Sequence, residues 1–115
     1  IVHSLRAPDG CPWDRAQTHE SIAKCVTDEA QEVAEAIEKH DVANLKEELG
    51  DVLLQVLLHS EIAKEEQEFE LSDVITHIAK KMIWRHPHVF GAISGEETNE
   101  GKDWEQLKSM EKRIF

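Results

Sequence analysis

No stretch of this 115-residue chain approaches the roughly 18 consecutive apolar residues that a membrane span requires, so a membrane protein is not expected. Cysteine is scarce. The only two, Cys11 and Cys25, stand in no CxxC or other metal-ligand spacing. Reduced thiols in a cytoplasmic protein are the expectation, and no chemistry is assigned to them. Positive charge is also in short supply, with 13 Lys and Arg against 24 Asp and Glu and a net charge of -11. Without a basic stripe, nucleic acid is not an expected partner. The first residues carry no basic, apolar and small-residue signal. There is no initiator Met, which leaves room for a longer parent chain. Internal repeats, low-complexity tracts and strand patterns with turn partners are all missing, which excludes solenoid and sheet architectures.

What is present is acid, unevenly placed. Residues 28–70 hold fourteen acids against three bases, while the flanking segments are balanced at three against three and seven against seven. Hydrophobic residues make up 40% of the chain. A chain of this length buries about two-thirds of its unfolded surface, enough for one domain spanning residues 1–115. The first 17 residues, with their PDG and CP turn signals, read as an opening loop, and residues 18–115 as a helical bundle. Thr18 is positioned to cap a helix running to about His40, with Ile22, Val26, Ala30, Val33 and Ile37 as its apolar stripe. Asp41 or a near neighbour is positioned to cap a second helix reaching about Gln67, with Leu45, Leu49, Val52, Val56 and Ala63 on one side and Leu54, Leu57, Leu58 and Ile62 on another. A helix apolar nearly all round must be enclosed on both sides, so a homodimer with this helix near its centre is expected. Ser72 would cap a third helix over residues 73–86, with Val74, Ile75, Ile78 and Met82 inward and Pro87 beyond its end. A polar loop over residues 91–101 and a last helix complete an all-α bundle of about four helices.

Two acid pairs raise the functional question: Glu29 with Glu32, and Glu48 with Asp51. At about 100° per residue, each pair falls beside the apolar stripe of its helix. If the helices pack antiparallel through a short connection near residues 39–43, four carboxylates converge. Two like charges about 4 Å apart repel by about 4 kcal/mol even at an effective dielectric of 20. A divalent cation reverses that sign, and an all-oxygen donor set suits Mg²⁺ or Mn²⁺. Acid pairs three apart are also common on solvated helix faces, so the wheel alone leaves both readings open. Gly50, inside the second pair, costs roughly 1 kcal/mol relative to Ala in mid-helix; close approach of a ligand or of another helix would account for it. Lys81 and Arg85 lie four apart on the third helix, and Lys108 lies four after Trp104 on the last. Such bases could face the acids as ion pairs or through a polyphosphate.

The motifs together resemble the MazG nucleoside triphosphate pyrophosphohydrolases. The family pattern of EExxE, a spacer and ExxD matches "DEAQE" and "ELGD", flanked by "GCPWD", "RHPHVFG" and "WEQLK" in order along nearly the whole chain. Asp28 stands where the pattern has its first Glu. The resemblance implies a dimeric, Mg²⁺-dependent all-α enzyme that splits a nucleoside triphosphate into the monophosphate and pyrophosphate. By position it makes Glu29, Glu32, Glu48 and Asp51 the metal ligands and catalytic acids, Lys81, Arg85 and Lys108 phosphate contacts, and Trp104 a neighbour of the nucleotide.

Other readings make different demands on the same residues. A di-iron carboxylate bundle needs ExxH motifs, and no histidine here has Glu three residues before it. A non-catalytic helical interaction module accounts for the stripes and the dimer but not for four acids at the core edge. A related all-α pyrophosphohydrolase with a dedicated substrate, such as dUTP, dCTP or phosphoribosyl-ATP, shares the acids and the chemistry. His86 and His88 fit local hydrogen bonding better than a zinc site, and Trp13 and Trp84 fit packing better than base stacking.

Overall fold

In the computed structural model, residues 1–90 are described. They form six helices, α1 (Val2–Arg6), α2 (Pro12–Ala16), α3 (Ala23–Glu38), α4 (Val42–Glu65), α5 (Leu71–Arg85) and α6 (Pro87–Phe90), with no strand among the described residues. The fold is all-α. The chain divides into one compact unit over Ile1–Leu71 and another from Ser72 onward.

The first unit is organised by the α3–α4 hairpin. Only Lys39, His40 and Asp41 connect the two helices, and so short a link makes them antiparallel neighbours. The turn closes by two backbone bonds, Asp41 N–H to the Ala36 carbonyl at 3.0 Å and His40 N–H to that of Ile37 at 3.1 Å. His40 takes φ 54°, the left-handed position that ends helices in this motif. Gln67, at φ 61°, closes α4 in the same way, with Glu68 N–H bonded to the Ala63 carbonyl at 2.9 Å and Gln67 N–H to that of Lys64 at 3.0 Å. The Asp41 cap is as the sequence suggested, its carboxylate accepting from Asn44 N–H at 3.1 Å. Thr18 caps no helix. Its hydroxyl accepts from Ser21 N–H in a turn, and α3 starts only at Ala23.

The faces that pack are rotated from the apolar stripes. On α3 the inward positions are Ile22, Cys25, Glu29, Val33 and Ala36, whereas Val26, Ala30 and Ile37 are exposed. On α4 the buried residues are Glu48, Gln55, Leu58, Ser60, Ile62 and Ala63, and Leu49, Leu54 and Val56 are exposed. Among the acid pairs Glu48 is buried, Glu29 and Asp51 are half-buried and Glu32 is exposed, so the cluster runs from the helix contact out to its edge. Ile22, Leu58 and Ile62 form an apolar cluster toward the α3 N-terminus, with Val2 and Cys25 against it.

Two short helices, α1 and α2, occupy the segment expected as an opening loop. Arg6 ties this segment to α4. Its Nη1 donates to the carbonyls of Asp14 at 2.6 Å and Gln17 at 3.0 Å, while Nε and Nη2 donate to the Glu65 carboxylate at 2.7 and 2.9 Å. His3 meets Glu61 at 2.6 Å one turn earlier. Trp13, expected to pack, is 65% exposed. Cys11 and Cys25 are free thiols.

In the second unit, α5 ends at Arg85 and Pro87 opens α6 after His86, as suits a residue without an N–H at a helix start. Ile75 and Ile78, expected inward, are exposed, and Val74 and Met82 are half-buried. Trp84 is buried, as expected of a packing residue. The His86 imidazole bonds locally, its Nδ1 lying 2.6 Å from the Met82 carbonyl. The loop expected over residues 91–101 and the expected last helix fall outside the described residues.

Candidate metal centre

The hairpin turn gives the acids their register. Glu32 lies eight residues before His40 and Glu48 eight after it; Glu29 lies eleven before and Asp51 eleven after. In an antiparallel pair of helices this pairs Glu32 with Glu48 and Glu29 with Asp51 on successive rungs. Each residue offers one carboxylate oxygen, and the four oxygens lie within 4.8 Å of one another.

The electrostatics of this cluster are unfavourable on its own. Glu48 is 9% exposed. Its carboxyl is pushed up to about 8, first by sharing a hydrogen bond with Glu32, then by loss of water and by the negative charges of Glu32 and Asp51. Loss of water also raises Glu29, with the charges of Glu32 and Asp51 adding to it. Glu29 and Glu48 each hold one Oε2 shielded from solvent without a hydrogen-bond partner. Shielded carboxylate oxygens without donors are costly. A hard divalent cation is the partner such a donor set fits, because it takes several oxygens at once.

A second group, His19, Glu66 and Glu68, also brings ligand atoms together, and no sequence spacing signals it. His19 and His59 stack with ring centroids 5.0 Å apart and Nδ1 atoms at 2.7 Å. Glu66 and Glu68 are exposed, so water screens their mutual repulsion. Nothing there forces a cation, in contrast to the hairpin acids.

The other expected site residues are distributed differently. Lys81 is half-buried and Arg85 buried, one turn apart on α5, in the second unit. Trp104 and Lys108 lie outside the described residues. Gly50 is exposed, and a Cβ built there would have nothing within 4 Å; neither a helix contact nor a close backbone approach among the described residues explains it. Gln55 was missed by sequence reasoning. It is nine-tenths buried on the same side of α4 as Glu48, and an amide in the middle of "LLQVLL" was the available signal.

Comparison with known proteins gives concordant matches. The family described as the MazG nucleotide pyrophosphohydrolase domain matches residues 17–90. The nucleoside triphosphate pyrophosphohydrolase/pyrophosphatase MazG of Thermotoga maritima is 48% identical over 112 residues, 97% of this chain and 43% of that protein. The nucleoside triphosphate pyrophosphohydrolase of Escherichia coli K12 is 42% identical over 114 residues, again 97% of this chain and 43% of the other. This chain thus spans less than half the length of these curated relatives. A crystal structure of a mazG-related protein from Thermotoga maritima superposes with a TM-score of 0.64 at 32% identity, covering 96% of this chain and 88% of that one.

Proposed function

Because the chain belongs to the MazG nucleotide pyrophosphohydrolase family, we propose that it hydrolyses nucleoside triphosphates to the monophosphate and pyrophosphate, with Mg²⁺ held by Glu29, Glu32, Glu48 and Asp51. One observation carries the reading: four carboxylate oxygens within 4.8 Å, two of the residues keeping a shielded oxygen without a partner. The names of the Thermotoga and Escherichia relatives agree with it.

When bound, Mg²⁺, or Mn²⁺ in its place, would set positive charge against the triphosphate oxygens and lower the pKa of water. The protein's own groups do the rest. Glu48, which holds a proton near neutral pH in the free site, gives it up when a cation replaces that proton as partner. A carboxylate of the set takes the proton of the attacking water as its oxygen bonds to phosphorus. The anhydride P–O bond breaks, and pyrophosphate leaves with the electron pair. Lys81 and Arg85, on successive turns of α5, contact phosphate and neutralise charge on the leaving group; Lys108 is assigned the same role, and Trp104 a place beside the nucleotide.

The chain acts as a single domain in a cytoplasmic homodimer, without nucleic acid as a partner. Exposed Leu49, Leu53 and Val56, one face of α4 at spacings of four and three, support the dimer. No described helix is long and apolar enough to cross a membrane.

The test is pyrophosphate release from a panel of canonical and modified NTPs and dNTPs, including dUTP, dCTP and phosphoribosyl-ATP, with Mg²⁺ and with chelator, beside Glu48→Gln. Release that needs the metal and is lost in the variant supports the assignment. No release from any substrate, with no thermal shift by Mg²⁺, overturns it in favour of a helical interaction module.

A further inference from the structure

The register that pairs the acids continues past them. Gln55 lies fifteen residues after His40 and Cys25 fifteen before it, and Leu58 and Ile22 stand eighteen to either side. Gln55 therefore occupies the rung between the Glu29–Asp51 pair and the apolar cluster of Ile22, Leu58 and Ile62. On α4 it is about 20° from Glu48 and about 40° from Asp51 around the axis, and about 6 Å beyond Asp51 along it. It is 9% exposed, and its Oε1 is shielded from water with no hydrogen-bond partner.

A buried acceptor without a donor destabilises the protein that carries it. Filling space beside Ile22 and Leu58 does not call for an amide, since Leu or Met would fill it without that cost. We propose that Gln55 is a specificity-determining residue of the site, its side-chain amide hydrogen-bonding the nucleoside half of the triphosphate; this rests on the reaction proposed above. The direction of the bond selects the nucleoside over the phosphates. The shielded atom is an acceptor, so its partner must bring an N–H or O–H. Sugar hydroxyls and the amino and imino groups of a base supply one, whereas ionised phosphate oxygens only accept. A buried acceptor of this kind discriminates strongly, because a substrate lacking the donor leaves the amide desolvated and unpaired.

The experiment compares wild type with Gln55→Met and Gln55→Leu for kcat and KM over NTPs and dNTPs differing in base and in sugar, together with the Mg²⁺ midpoint and the melting temperature. Wild type should prefer some of these substrates. In both variants the spread of kcat/KM across the panel should shrink roughly tenfold or more, while the Mg²⁺ midpoint stays put and melting is unchanged or raised. An equal loss on every substrate would make Gln55 a packing residue, and a shifted Mg²⁺ midpoint would make its oxygen part of the cation site; either overturns the proposal. Turnover by wild type with an unaltered substrate profile in the variants removes the role of Gln55 and leaves the reaction standing. Absence of turnover by wild type removes both.

Discussion

The carboxyl of Glu48 meets that of Glu32 across the α3–α4 hairpin, the two residues standing eight positions to either side of His40. Their shared hydrogen bond is the largest cause of the rise of Glu48 to about 8. Because the folded-state value lies above that of an unfolded glutamate, about 4.3, this group contributes stability that is complete below the unfolded value and is lost as pH rises through the folded one. Metal-free protein should therefore melt at falling temperature between about pH 5 and about pH 8, while the stabilisation given by Mg²⁺ grows over the same window as ligands deprotonate. Melting curves with and without chelator check this. A metal-free melting temperature flat across the window would contradict the convergence of the acids.

Replacing Glu48 by Gln removes the group that cannot easily ionise and the most buried of the four acids proposed as cation ligands together. Turnover should fall by about 100-fold or more, and the metal-free variant should melt higher than wild type at pH 8. Paired activity and melting measurements separate this outcome from simple misfolding, which lowers both.

Arg6 is a structural clasp. Its side chain is 6% exposed, and its guanidinium serves two backbone carbonyls and the Glu65 carboxylate. Arg6→Ala should cost about 2–3 kcal/mol, since it strands those acceptors. Arg6→Lys should recover only part of this, because an ammonium does not reproduce the planar fork. Urea unfolding midpoints give the comparison.

Two glycines should respond oppositely to alanine. At Gly10 an added Cβ would lie 2.3 Å from the Ser4 carbonyl oxygen and 2.4 Å from that of Leu5, so Gly10→Ala should destabilise by about 1–3 kcal/mol. Gly50 sits within α4 with open space around it, and Gly50→Ala should stabilise by about 0.5–1 kcal/mol. Denaturant titration of both variants decides. A Gly50→Ala protein that melts higher yet loses turnover would mean that substrate or a second copy approaches that backbone.

Leu53 is 56% exposed at the middle of the Leu49, Leu53 and Val56 face. Leu53→Glu should convert the proposed dimer into a monomer while keeping helical content, as read by light scattering and circular dichroism. A wild type that scatters as a monomer at micromolar concentration would remove the dimer from the proposal.

The sequence by itself determined that the chain is helical, and it placed α4 after a cap at or near Asp41 and two acid pairs beside the apolar stripes of neighbouring helices. These follow from periodicity and from capping chemistry, all of them local, whereas the convergence of the pairs depended on how the helices pack. Tertiary structure decided which way the helices face. Of the apolar stripe on α3, Ile22 and Val33 face inward, but packing chose Cys25, Glu29 and Ala36 over Val26, Ala30 and Ile37; on α4 it chose Glu48 and Gln55 over Leu49 and Val56. A hydrophobic pattern records every apolar contact a chain makes, including those of a face left open in one copy, and it counts a buried carboxylate or amide as evidence for the surface. Only the three-dimensional arrangement could distinguish Glu48, buried at a helix contact, from an acid standing in water such as Glu32, because that difference lies in the neighbouring helix and not in the residue.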